Sequence, residues 1–129
     1  MSALQQLRTM TTIVADTGDL AAIERLKPID ATTNPSLITK ALIHPDNEAV
    51  LSETMSRHRD DIDAVIDELT IQIGWNILSL IEGRVSTEVD ARLSYDTQAT
   101  IDKALAFMEA YQKAGIDSER VLIKMAATW

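Results

Sequence analysis

Four short runs rich in β-branched residues, at positions 12–15, 29–33, 84–89 and 121–125, alternate with stretches of helical periodicity. No other feature of the chain restricts the fold as much. Antiparallel neighbours can be joined by a tight hairpin, whereas strands that return to a sheet through a helix run parallel. The expected class is therefore α/β, a parallel sheet with crossover helices.

The helical stretches carry their own punctuation. Gly18-Asp19 precedes Leu20, Ile23 and Leu26 at helical spacing, and Pro28 stops that segment. Asn34 can cap a helix whose first residue is Pro35, where a missing N–H costs nothing. Ile62, Val65, Ile66, Leu69, Ile73, Ile77 and Leu80 form one stripe of a long helix, with Gly83 placed to end it. Asp96 or Thr97 opens a later helix in which Ile101, Leu105, Met108 and Tyr111 are expected to face inward and Gly115 to close.

A parallel sheet is normally covered on both faces, and one ending on its newest strand leaves an edge and part of a face bare. A complete TIM (β/α)8 barrel takes about 250 residues, and this chain has 129. The reading is of the first four strand-helix units of such a barrel, a single domain over 1–129, cut just after the fourth strand. Two such half-barrels could also associate as a homo-oligomer, each covering the other's edge.

Composition narrows the function classes. Twelve basic against twenty acidic side chains give a net charge of −8, which disfavours nucleic acid and acidic membrane surfaces as partners. A phosphorylated ligand would then need a local basic site. With no cysteine there is no disulfide framework or thiolate metal site, and neither a signal-peptide core nor a membrane-length apolar run is present. A cytoplasmic location is the default expectation. Four scattered glycines match no phosphate-binding fingerprint, His44 and His58 are poor material for a metal site, and the acids near His58 read as a solvated helix face. Trp75 and Trp129 are read as packing groups.

Each strand ends in a polar side chain: Asp16, Asn34, Glu88 and Lys124. In a parallel barrel the ligand site lies at the carboxyl ends of the strands, so the four can converge on one mouth. With a period of two, Ser86 and Glu88 share a face, as do Leu122, Lys124 and Ala126. Lys124 admits two readings. It either reaches water or a carboxylate, or it is a nucleophile whose apolar neighbours disfavour the ammonium and free the amine to form a Schiff base with a carbonyl. Glu88 is a candidate proton carrier or a surface acid, Asp16 a second carboxylate or a cap, and Asn34 a cap, a ligand for substrate hydroxyls, or both.

The words TTIVADTGD at 11–19, DATTNPSLI at 30–38, GRVSTEVDARLSYDT at 83–97 and VLIKMAATW at 121–129 resemble, in order and spacing, the amino-terminal part of a transaldolase. That resemblance implies a (β/α)8 barrel that moves a dihydroxyacetone unit from sedoheptulose 7-phosphate or fructose 6-phosphate to an aldose phosphate, in the non-oxidative pentose phosphate pathway. It implies no metal or organic cofactor. By the same resemblance Lys124 corresponds to the Schiff-base lysine, Glu88 to the acid/base carboxylate working through a bound water, Asp16 to the carboxylate that handles the hydroxyl proton, and Asn34 to the amide holding the dihydroxyacetone moiety. Transaldolases continue past this chain's last residue with strands that supply phosphate-anchoring basic residues, so weak or no activity is expected of these residues alone. A simple aldolase of the same type and a non-catalytic remnant are the rival readings.

Overall fold

Four parallel strands form one sheet in the order β1-β2-β3-β4: β1 Val14–Asp16, β2 Asp30–Thr32, β3 Val85–Glu88 and β4 Val121–Lys124. The structure, a computed structural model, describes residues 2–59 and 61–128. Trp129 lies outside the described residues. β2, β3 and β4 fall within the expected runs and β1 overlaps the end of its own, and every connection between them carries helix: α2 Leu20–Leu26, then α3 Pro35–Leu42, α4 Glu48–Arg57 and α5 Ile62–Leu78, then α6 Thr97–Lys113. Neighbours in sequence are neighbours in the sheet, the order in which successive units of a (β/α)8 barrel are laid down. No helix among the described residues is long and apolar enough to cross a membrane.

Polar side chains start the helices by taking up backbone N–H groups that have no intrahelical acceptor. Asp19 accepts from Ala22 N at 3.0 Å, Asn34 from Leu37 N at 3.0 Å, Asp61 from Ala64 N at 2.9 Å and Asp96 from Ala99 N at 2.9 Å. The helix after β1 is thus capped by Asp19, not by Asp16. It ends at Lys27, whose φ of 47° is left-handed, one residue before Pro28. Gly115 closes α6 with φ of 82°.

The two faces of the sheet differ. Ala15, Ala31, Val85, Thr87 and Val121 are buried beneath the helices, packed with Ile23, Ile77, Phe107 and Tyr111 into the core. Ile77 is wholly enclosed, and burial of such a side chain stabilises by about 1.5–3 kcal/mol. The opposite face is open: Val14 is 52% and Leu122 43% exposed. At the amino ends of the strands, Arg120 Nε donates to Gly83 O at 2.5 Å while Nη2 donates to Ile81 O at 2.9 Å and Leu78 O at 3.2 Å. One guanidinium thereby joins the entrance of β4 to the end of α5 and the loop that follows.

Four details differ from the sequence reading. An unanticipated helix, α1 Ala3–Met10, starts with a capping box between Ser2 and Gln5, buries none of its residues, and is tied through Arg8 to the carbonyls of Leu26 and Lys27. Gly83 does not end α5, which stops at Leu78. A side chain at Gly83 would put Cβ 2.0 Å from Asp30 Oδ1 and 2.6 Å from Ile29 O, so glycine is needed there for close approach to β2. In α6 the buried positions are Ala104, Phe107 and Tyr111, whereas Ile101 and Leu105 face outward. Ile62 and Ile66 of α5 are exposed, as is Trp75 at 45%, which therefore does little packing.

Candidate active site

Lys124 ends β4 on the open face, and its position follows from the pleat. Val121 and Ile123 turn toward the helices, so Leu122 and Lys124 turn away. On β3 the same alternation buries Val85 and Thr87 and presents Ser86 and Glu88. The register sets Glu88 directly across from Lys124, and their Nζ–Oε2 separation is 3.1 Å. Nζ also donates to Thr33 O at 2.7 Å and makes a longer contact with Thr32 Oγ1 at 3.3 Å. An ammonium has three donors, and three oxygens surround this one, from Thr32 of β2, from Thr33 just after it and from Glu88 of β3.

These neighbours are polar, where the sequence reading expected an apolar shell. The first of the two readings of Lys124, pairing with a carboxylate, is what the geometry displays. It does not remove the second: a lysine gripped beside a carboxylate on the open face is also close to a base that can take its proton. The side chain of Glu88 is 17% exposed and that of Lys124 37%, so the pair is reachable from solvent.

Asp16 and Asn34 complete the four. Asp16 is exposed at the end of β1 and lies in register with Thr32, the residue whose hydroxyl touches Lys124. Two strands thus separate Asp16 from β4, but it belongs to the same open face. Asn34 is half-buried just past β2, and its Oδ1 is occupied in capping α3. The amide nitrogen is not needed for that task. Thr33, almost fully buried, donates its hydroxyl to Ser86 O at 3.0 Å and so fixes the carbonyl that Lys124 uses.

Thr32 and Thr33 were missing from the sequence reading. Their signal was the threonine pair directly before Asn34 at the end of a strand. The alternation places Thr32 on the open face, but the use of a Thr33 backbone carbonyl has no sequence marker.

A cleft of about 500 Å3 reaches Asn34 and Glu88 from the side, between α3, α5 and the loop after β3, with Ile38, Ile66 and Phe107 in its wall. Neither Lys124 nor Asp16 lines it. It flanks the residues at the strand ends without containing them. Its rim is held by charge pairs: Arg92 reaches Asp90 at 2.5 Å and Asp63 at 2.6 Å, and Lys103 reaches Asp67 at 2.5 Å. The Arg92 hydrogen bonds hold the Asp90 carboxyl below the usual carboxylate range, and the two acids in turn raise the guanidinium.

A family model described as Transaldolase/Fructose-6-phosphate aldolase matches residues 13–129. A protein named Transaldolase from Methylococcus capsulatus is 51% identical over 98% of this chain and 41% of its own length. Another from Stutzerimonas stutzeri is 52% identical over 99% of this chain and 42% of its own length. A third, from Trichormus variabilis, is 52% identical with coverages of 98% and 41%. The chain therefore spans about two-fifths of the length of the curated relatives it matches.

Proposed function

Because the chain belongs to the transaldolase/fructose-6-phosphate aldolase family, we propose that it carries the Schiff-base half of a transaldolase site, with Lys124 as nucleophile. The observation that carries this reading is the 3.1 Å contact between Lys124 Nζ and Glu88 Oε2 on adjacent strands of the open face. Glu88 accepts a proton from the lysine. The free amine adds to the carbonyl carbon of a ketose phosphate, fructose 6-phosphate or sedoheptulose 7-phosphate, and the carbinolamine loses water to give an iminium.

The iminium draws electrons from the adjacent carbon-carbon bond. Asp16 takes the proton from the neighbouring hydroxyl, the bond breaks, an aldose phosphate leaves, and a dihydroxyacetone enamine stays on Lys124. Addition of that enamine to a second aldose phosphate, followed by hydrolysis, completes the transfer. Asn34 holds the hydroxyls of the three-carbon unit. The setting is the non-oxidative pentose phosphate pathway of the cytoplasm. The partners are small sugar phosphates.

The test is borohydride reduction in the presence of fructose 6-phosphate. A permanent mass increase on the peptide containing Lys124, lost in Lys124→Arg, is the expected result; an unmodified Lys124 overturns the reading and favours a non-catalytic role. The aldolase named beside transaldolase in the family description is the second reading. Adding an acceptor aldose phosphate separates the two, since only transfer yields a new ketose phosphate.

A further inference from the structure

Behind β3, on the helix side, a polar contact sits in an otherwise apolar layer. Tyr111 Oη and Thr87 Oγ1 are 2.7 Å apart, and both residues are wholly buried. Valine at 87 and phenylalanine at 111 would fill nearly the same space with no polar atom to desolvate, so packing alone does not call for this pair. A hydrogen bond differs from packing in being directional. It sets the height and rotation of the strand residue it holds.

The seat for the tyrosine is made by α5. A Cβ added at Gly74 would stand 1.8 Å from Tyr111 Oη and 2.9 Å from Cζ, so only glycine lets the ring end lie against that helix. Three elements, α5, α6 and β3, converge at Thr87. The next residue is Glu88. One planar peptide separates them, with Thr87 in register with Ile123 and Glu88 with Lys124.

We propose that Tyr111, seated on Gly74, is a positioning residue: through its hydrogen bond to Thr87 it holds the end of β3 so that Glu88 meets Lys124. The role deepens the Schiff-base reading and, for its effect on reaction, rests on it. Tyr111 touches neither the substrate face nor the lysine. It acts only through the strand. Displacements of an ångström or less at a reacting group are known to cost large factors in rate, so a small rotation of β3 is felt at the acid.

The experiment uses Tyr111→Phe, Thr87→Val and Thr87→Ser, with Ile77→Val as a control that loosens the same core but leaves both hydroxyls in place. Competitive acetylation of Lys124 against the exposed Lys113, read by mass spectrometry over a range of pH, reports the Glu88 contact without any substrate. An amine no longer gripped by its carboxylate partner is more open to the reagent. Tyr111→Phe and Thr87→Val are expected to raise relative Lys124 acetylation by about threefold or more, with the double variant no different from either single one. Thr87→Ser, which keeps the hydroxyl, and Ile77→Val are expected to match the parent.

Equal acetylation profiles in the parent and in Tyr111→Phe overturn the proposal, as does an equal change in Ile77→Val. Borohydride trapping with fructose 6-phosphate is measured alongside and is expected to slow about tenfold in the two hydroxyl-removing variants. If the parent traps nothing while acetylation shifts as expected, the Schiff-base reading falls and the positioning of Glu88 stands. If the parent traps sugar but acetylation is unmoved, the reverse holds.

Discussion

The helix-covered face of the sheet and its open face are made from the same strands, residue by alternate residue, yet they obey different rules. On the covered face Ala15, Ala31, Val85 and Val121 are closed off and the one polar side chain from β3, Thr87, has a partner. On the open face Val14 and Leu122 meet solvent, and the polar groups gather at the carboxyl ends around Lys124. The contrast teaches that the packed core and the candidate site are separated here by the pleat and not by distance along the chain. Thr87 and Glu88 are adjacent, and one belongs to each world.

Substitutions grade that contrast. The largest effect is expected on the covered face at Ile77→Ala, which removes a fully enclosed side chain and should cost about 2–5 kcal/mol in denaturant unfolding. Gly74→Ala follows, at about 1–3 kcal/mol, because the new methyl collides with Tyr111. Adding Tyr111→Phe should recover only part of that loss, since Cζ is also within 2.9 Å. Non-additivity of the two stability changes is the check.

A pH effect comes next. Burial pushes the Tyr111 hydroxyl up to about 12 from its ordinary 10.0, the Thr87 hydrogen bond opposing weakly. The folded state then keeps a proton that the unfolded chain gives up, so this contribution is complete below pH 10 and declines as the pH rises toward 12. Stability curves in that window should be flatter for Tyr111→Phe than for the parent. The smallest effect belongs to the open face: Leu122→Thr should change unfolding by no more than about 0.5 kcal/mol. A loss there as large as at Ile77 would erase the distinction between the faces.

Much of this was legible in the residues. Runs of β-branched side chains broken by polar or proline positions locate the strands, and Asn34-Pro35 marks a helix start that the structure keeps. Lys124 and Glu88 could be placed on one face because side-chain direction alternates with a period of two. The face of α6 could not be read, since Ile101, Ala104, Leu105, Phe107 and Met108 leave apolar groups around much of the helix and only the neighbouring strand selects Phe107. Helix α1 has a capping box in plain view, Ser2 and Gln5, and Leu4, Leu7 and Met10 at helical spacing, yet it buries none of its residues. Gly83 and the Thr33 carbonyl act through close approaches between distant segments, which local pattern does not encode. The polar shell of Lys124 has the same origin, because its oxygens come from two other strands.

The arginine beneath the sheet governs what the top displays. Arg120 grips the carbonyls of Leu78, Ile81 and Gly83, four residues ahead of Lys124, and so indexes the fourth strand at its entrance. Sliding that strand by a single step would invert it, sending the amine into the greasy layer and presenting Ile123 on the open face instead. A cation at the opposite end of the strand from Lys124 thus acts as the detent that keeps the correct tooth of the ratchet uppermost.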